Sequence, residues 1–218
     1  MRMHSTLATW ACAAVALAAP AAAPATGGPS SAPGLEARAV ADAGAAARNA
    51  RHHPSRSRAL IERSLLRMHK ASTLALKATA KSGRDAAALD AGAKAAMSFS
   101  SSTSDQAGAL MRSIRNGVEK VDRSAAAALG RSVATQSEVV LSFGRATAHV
   151  SGASAASTVS TLDLLANEQS GVTAALVDQL GVNSHSRRVH GALERAISRS
   201  TRTEAALNAQ IAELARQA

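Results

Sequence analysis

Large apolar residues recur at intervals of three and four from residue 57 onward, which is the spacing of amphipathic helices. The pattern predicts four helical segments, at about 57–98, 105–149, 154–180 and 186–217. The predicted inner faces contain Ile61, Leu65, Met68, Ser72, Ala75 and Thr79 in the first segment, Leu110, Ile114, Val118, Val121, Ala125, Leu129, Val139 and Phe143 in the second, and Thr158, Leu162, Leu165, Val172, Leu176 and Leu180 in the third. The fourth carries a heptad seam with two polar interruptions, made of Leu193, Ile197, Ser200, Glu204, Leu207, Ile211, Leu214 and Ala218.

Capping signals separate these segments. The stretch SFSSSTSD at 98–105 offers Thr103, Ser104 and Asp105 as N-caps of the second helix. A weaker break follows at Ser151-Gly152. Gly181 is typical of the residue after a helix, and Asn183 or Ser184 would then cap the fourth helix. Because the gaps are short, neighbouring helices are expected to run antiparallel.

The predicted fold class is all-α: an elongated, Ala-rich antiparallel bundle or set of coiled-coil hairpins, with a disordered N-terminal segment. Ala occupies 55 of the 218 positions. Ala and Ser at the seams let helix axes approach closely, but they bury little apolar area. Glycines expected inside helices, such as Gly117, Gly130 and Gly144, each cost about 1 kcal/mol relative to Ala. A monomer with this core would be marginal, so we expect a homo-oligomer.

The N-terminus has the order of a secretory signal. Arg2 precedes the uncharged apolar run 7–19, and Ala23-Pro24-Ala25 offers a cleavage site. The run is short for a membrane span, which needs about 20 mostly apolar residues. We therefore predict a signal peptide at 1–25, with an uncleaved anchor as the alternative. Residues 26–56, rich in Pro, Gly, Ala and Arg, are predicted to be a flexible linker before the bundle at 57–218.

Cleavage after Ala25 would remove Cys12 and Trp10, and the chain contains no Tyr. The remaining aromatic residues would be Phe99 and Phe143. Disulfides, cysteine nucleophiles and thiolate metal sites are then excluded from the mature protein.

No motif marks a catalytic or metal site. The chain lacks the G-x-S-x-G, G-x-x-x-x-G-K-[ST] and G-x-G-x-x-G patterns. His185 and His190 are five residues apart rather than the four that place two ligands on one helical face, and His52-His53 lies in the predicted linker. We predict that the protein is not an enzyme and needs neither cofactor nor metal.

Basic residues are concentrated in one part of the chain. Residues 38–84 contain eleven Lys and Arg but only Asp42 and Glu62 as acids, whereas residues 85–186 carry a small acidic excess. A smaller basic patch follows, made of Arg187, Arg188, Arg195, Arg199 and Arg202 beside Glu194. Seven cations spaced by seven and four are predicted to form a stripe along one helix face opposite its apolar face: Arg56, Arg63, Arg67, Lys70, Lys77, Lys81 and Arg84.

Such a stripe would attract polyanions such as wall polymers or anionic lipid headgroups, although a surface helix carries a charged face without any ligand. Dedicated nucleic-acid binding is not expected, because no aromatic residues are interleaved with the cations. The leading hypothesis is a secreted or envelope-located, non-catalytic, self-associating helical protein held electrostatically to the cell envelope or an anionic polymer. The alternatives are a signal-anchored protein that displays the bundle outside the cell, and a cryptic enzyme or ligand carrier.

Overall fold

The computed structural model describes residues 28, 30–182 and 186–217. The regular secondary structure of this part is helical. This part contains six α-helices and no strand: α1 (Ala32–Asn49), α2 (Pro54–Thr79), α3 (Ala86–Asn116), α4 (Glu119–Ala146), α5 (Gly152–Val182) and α6 (Arg187–Ala215). The all-α helical bundle predicted from the sequence is therefore confirmed. The predicted signal peptide, 1–25, lies outside the described residues.

The six helices pack as two rows of three. Consecutive helices form the hairpins α1/α2, α3/α4 and α5/α6. The middle hairpin lies between the other two, with α1 and α5 on either side of α3 and with α2 and α6 on either side of α4. One row is therefore α1, α3 and α5, and the other is α2, α4 and α6. Because successive helices are antiparallel, the helices within a row run in the same direction.

The predicted helix 57–98 is divided between α2 and α3, which corrects the sequence-based boundary. In the connection, Gly83 lies so close to the end of α4 that a Cβ there would overlap the carbonyl oxygen of Ala146. Asp85 then caps α3 by accepting a 2.8 Å hydrogen bond from the backbone N–H of Ala88. The turn is thus set by a close tertiary contact and a local cap, neither of which interrupts the apolar spacing.

The predicted helix 105–149 is divided as well, because α3 ends before Gly117 and α4 begins after Val118. Gly117 is extended, with φ −87° and ψ 179°. Mid-helix Gly130, by contrast, remains helical within α4. A single glycine therefore does not reveal by itself whether a helix ends there.

The break predicted at 98–105 was wrong, because the whole stretch lies inside α3. Thr103 donates to the carbonyl oxygen of Phe99 at 2.8 Å, and Ser104 donates to that of Ser100 at 3.0 Å. These hydroxyls bond to the preceding turn of the same helix instead of capping a new one.

The linker predicted at 26–56 was also wrong for the described residues, since it contains α1 and the start of α2. Ser31 caps α1 by accepting a 3.2 Å hydrogen bond from the N–H of Gly34. Three fully buried alanines on α1 (Ala39, Ala43 and Ala46) and Ala50 directly after it allow the close approach of α1 to α2 and α3. Pro54 is the first residue of α2, where its fixed φ suits the helix and its missing N–H has no intrahelical acceptor.

Helices α5 and α6 match the ranges 154–180 and 186–217 to within two residues at each end. Along α6, every seventh residue of the predicted seam is buried: Leu193, Ser200, Leu207 and Leu214. The intervening Ile197, Glu204 and Ile211 are half-buried. The proposed caps Asn183 and Ser184 lie outside the described residues.

Pairs of glutamine, serine and threonine side chains join the helices within the apolar core. They link Gln106 to Ser64 and Ser132, Gln136 to Ser100, Gln169 to Ser200, Thr79 to Ser142, and Thr203 to Ser137. Buried polar groups of this kind favour one helix register, because any slip leaves a donor or acceptor unpaired.

Candidate functional site

The predicted α2 stripe is present on the surface, but part of it is neutralised. Its members are Arg56, Arg63, Arg67, Lys70 and Lys77 on α2, followed by Lys81 and Arg84 in the connection to α3. All are exposed except Arg67, which is half-buried. The apolar face of α2 therefore has the predicted orientation.

Asp42 on α1 binds the centre of the α2 stripe. Its Oδ2 lies 2.6 Å from Arg67 Nη1 and 3.3 Å from Arg63 Nε. Arg67 also donates to the backbone carbonyl of Arg38 at 3.4 Å. The counter-charge comes from a segment that the sequence predicted to be a linker. Within the described residues, the other members of the stripe form no salt bridge: Arg56, Lys70, Lys77, Lys81 and Arg84.

A second basic surface lies in the groove between α4 and α6. The register of its two walls is set by a 2.8 Å hydrogen bond from Thr203 Oγ1 to Ser137 Oγ. Further along, the side chain of Gln210 lies directly over Gly144, where a Cβ would overlap it. Both contacts join residues 66 positions apart, so the two parallel helices stay in register along the groove.

Five exposed arginines line this α4/α6 groove: Arg131 and Arg145 from α4, and Arg195, Arg199 and Arg202 from α6. The groove consists of two adjoining cavities of about 570 and about 290 Å³, which share Ala134, Arg199 and Arg202. Among the described residues that line it, Glu138 is the only acid. Five cations and one acid leave a local charge of +4.

None of the five arginines forms a salt bridge within the described residues. Their spacing along α6, four and then three residues, places Arg195, Arg199 and Arg202 on one helical face. The walls between them are made largely of small residues: Ala126, Ala127, Gly130, Ala134, Ala192 and Ala196. The guanidinium groups consequently stand above a shallow floor and can meet a ligand laid between the helices.

The sequence analysis identified the arginines that α6 contributes to this site but not those that α4 contributes. The patch containing Arg195, Arg199 and Arg202 was recognised, but Arg131 and Arg145 lie in the segment whose overall charge is slightly acidic. Local charge counting could not detect them, because their partners are about 66 residues away. A heptad search for exposed arginines on α4 would have found Arg131 and Arg145, which are two heptads apart.

Two further cavities have mixed charge. One, of about 560 Å³ between α2 and α4, is lined by Glu62, Leu66, His69, Arg131 and Glu138 among others. The other, of about 270 Å³ where the α2–α3 and α4–α5 connections meet, contains Arg84, Asp85 and His149. In both cavities acids stand beside the bases, so neither has the one-sided charge of the α4/α6 groove.

Two carboxyl groups, the buried Glu36 and the half-buried Glu168, lie on either side of α3. Burial raises the pKa of Glu36, although hydrogen bonds donated by Ser98 and Ser102, at 2.7 and 3.2 Å, oppose the rise. Burial likewise raises the pKa of Glu168, opposed by a hydrogen bond from Ser100 and reinforced by the charge of Asp105. Both carboxyls face serines within helix packing contacts.

No group of three or more His, Cys, Asp or Glu side chains that could hold a metal ion occurs among the described residues. His190 Nε2 lies 3.2 Å from Glu194 on the same helix, whereas His185 is outside the described residues. None of the described helices is long and apolar enough to cross a membrane.

Comparison of the chain with protein-family models, with curated protein sequences and with solved structures finds no match. The functional assignment therefore depends on the chain's own geometry.

Proposed function

We propose that this protein is an exported, non-catalytic helical scaffold that attaches electrostatically to an anionic polymer of the cell envelope. The observation that carries the proposal is the α4/α6 groove, whose two walls carry five arginines that form no salt bridge with any described residue. Export rests on the signal pattern of residues 1–25.

Mutual repulsion makes the unoccupied groove electrostatically unfavourable. At physiological salt the Debye length is about 8 Å, so arginines on adjacent helical turns interact with each other. A polyanion would replace this repulsion with attraction, and the planar guanidinium fork matches phosphate and carboxylate oxygens in a bidentate manner. Helix packing already fixes the positions of the arginine-bearing helices relative to each other. Binding of the polyanion therefore does not have to order them.

The α2 stripe is the weaker of the two candidate contacts. Asp42 neutralises part of its centre, and the residues left over are separate lysines and arginines on a convex helix. Arg63 and Arg67 lie on the side of α2 next to α1, whereas Glu62, Leu65 and His69 line the side next to α4. The stripe and the α4/α6 groove are therefore two separate surfaces, which one experiment can compare.

The test measures retention of the purified protein on immobilised dextran sulfate as salt increases. The groove variant replaces Arg131, Arg195, Arg199 and Arg202 with Gln. The matched stripe variant replaces Lys70, Lys77, Lys81 and Arg84 with Gln, which removes the same charge from exposed, unpaired sites. We expect the wild type and the stripe variant to be retained at about 50 mM salt and released on raising it, while the groove variant elutes early. Failure of the wild type to bind any polyanion at low salt would overturn the proposal.

A further inference from the structure

We infer that the ligand of the α4/α6 groove is a single flexible chain of closely spaced phosphate groups, lying lengthwise between the two helices. This inference rests on the proposed function and narrows it from anionic polymers in general to one class. It follows from the width of the groove, the spacing of its arginines and the absence of stacking residues.

The width of the groove favours a ligand that is one polymer strand rather than a duplex. Axes of packed helices are about 8–10 Å apart, and the groove is the shallow space between two such helices. A nucleic-acid duplex cannot enter it, because even the major groove of B-DNA is about 12 Å wide. A single polymer chain fits between the walls, where it can meet arginines from both helices at once.

The spacing of the arginines favours a ligand whose negative charges are closely spaced along its length. The 66-residue register places Arg195 level with residue 129 of α4, Arg199 with residue 133 and Arg202 with residue 136. Arg131 therefore lies between Arg195 and Arg199 along the groove axis, on the opposite wall. At about 1.5 Å per residue, these four arginines occupy about 11 Å, and Arg145 follows about 14 Å later. Cations about 3–4.5 Å apart along the axis match a chain with a charge at a similar interval, such as the 3.4 Å per charge of a DNA strand.

Among the described residues, no aromatic side chain lines the groove. Phe99 and Phe143 are completely buried in the core. Proteins that hold single-stranded nucleic acid stack its bases on aromatic side chains, and the groove offers only arginines for this. The phosphate contacts therefore dominate recognition, and a base-free phosphate polymer supplies them.

The lining also argues against a membrane surface. Stable binding to a bilayer commonly adds large apolar side chains that insert below the headgroups to the attraction between cations and anionic lipids. The apolar lining of the groove is mostly Ala and Gly, and its largest member, Leu141, is half-buried. The arginines also stand on two facing walls rather than on one flat or convex plane.

Binding is tested with long-chain inorganic polyphosphate as the probe, by calorimetry on the intact protein. Competitors are orthophosphate, a single-stranded oligonucleotide, a duplex with the same number of phosphates, and phosphatidylglycerol vesicles. We expect four neutralised phosphates to give a slope of log K against log salt of about −3. Polyphosphate should bind most tightly, followed by the single strand, whereas orthophosphate, the duplex and the vesicles should compete poorly.

Two variants locate the site. The groove variant (Arg131, Arg195, Arg199 and Arg202 to Gln) should lose about two- to fivefold per arginine, because exposed ion pairs are individually weak. Replacing the same four arginines with Lys keeps the charge but removes the bidentate fork, so we expect an intermediate affinity and an unchanged salt slope. Gln and Lys are both good helix formers. A urea midpoint equal to that of the wild type for the Lys variant, and equal or slightly higher for the Gln variant, confirms that the variants are folded.

The outcomes separate this inference from the proposed function. If the wild type binds polyphosphate but the folded groove variant binds it equally well, the inference fails while polyanion binding stands. If the duplex or the vesicles bind as tightly as polyphosphate, the single-chain assignment fails. If the wild type binds none of the probes, including dextran sulfate, the proposed function itself fails.

Discussion

Gln106 on α3 donates a 2.7 Å hydrogen bond from its side-chain amide to Ser64 Oγ on α2. The same glutamine accepts a 2.7 Å hydrogen bond from Ser132 on α4. Ser64 in turn donates to the backbone carbonyl of Ala39 on α1 at 2.6 Å. This buried chain of hydrogen bonds joins four helices at one level of the bundle. Because a shift of any one of these helices would leave a buried donor or acceptor unpaired, the chain favours a single packing arrangement.

Replacing Gln106 with Met, which is similar in size, should lower the free energy of unfolding by about 1–3 kcal/mol. The reason is that Ser132 loses its acceptor and Ser64 loses a donor in a buried site. Urea denaturation followed by circular dichroism measures the change. The triple variant with Ser64→Ala and Ser132→Ala as well should recover much of the loss, since both ends of each bond are then apolar. An unaltered midpoint for Gln106→Met would contradict this account.

The buried carboxyls predict a stability that falls as pH rises. The pKa of Glu36 and of Glu168 is raised in the folded protein above the ordinary value of 4.5, chiefly by burial. Below pH 4.5 both groups are protonated in the folded and the unfolded chain, so they cost nothing. As pH rises through the raised pKa, the folded state must ionise a buried carboxyl, and stability is lost. The pKa of Asp122, raised to about 6 by burial and by the charge of Glu119, acts in the same direction.

The double variant Glu36→Gln and Glu168→Gln should therefore be more stable than the wild type at about pH 8 and similar to it at about pH 4. Urea midpoints measured across this range give the comparison. Glu62→Gln, at an exposed position, is the control and should leave the pH profile unchanged. A double variant that is less stable at alkaline pH would mean that the ionised carboxylates are favourably bound in the folded state.

Two glycines should respond in opposite ways to replacement by alanine. Gly83→Ala places a Cβ against the carbonyl oxygen of Ala146 and should destabilise the protein by about 1–3 kcal/mol. Gly171, in the middle of α5, has no neighbouring atom within 4 Å of an added Cβ. Gly171→Ala should stabilise the protein by about 0.5–1 kcal/mol. Thermal melts of the two variants check both signs, and equal shifts would contradict the close contact at Gly83.

Self-association remains a prediction. Alanine seams bury little apolar area per residue, so association with a second copy would add to a modest core. The melting temperature and the mass from light scattering should then rise with protein concentration. A monomer whose melting temperature is independent of concentration would show that the six helices are sufficient alone.

Apolar periodicity identified helical segments correctly but did not locate all of their ends, because the spacing continues across the α2–α3 and α3–α4 connections. In α5 and α6, leucine and valine recur at helical spacing, and the predicted ends agree with the structure to within two residues. In α1, the buried face is alanine, which a linker also contains, so the helix was missed. At 98–105 the hydroxyl side chains resemble caps when considered locally. In the structure Thr103 and Ser104 bond to the preceding turn of the same helix, and Ser98 and Ser102 bond to Glu36, which is far away in the sequence.

The sequence by itself determined the all-α class, the orientation of the apolar faces of α2 and α6, and the concentration of positive charge, because all of these depend on residues within a few turns of each other. Only the tertiary structure decided which cations are free. Asp42 reaches Arg63 and Arg67 from α1, and Arg131 meets Arg195 and Arg199 across a groove. Charges interact through space within about 8 Å, whatever their separation along the chain. The candidate site could therefore be found only after the helices had been placed side by side.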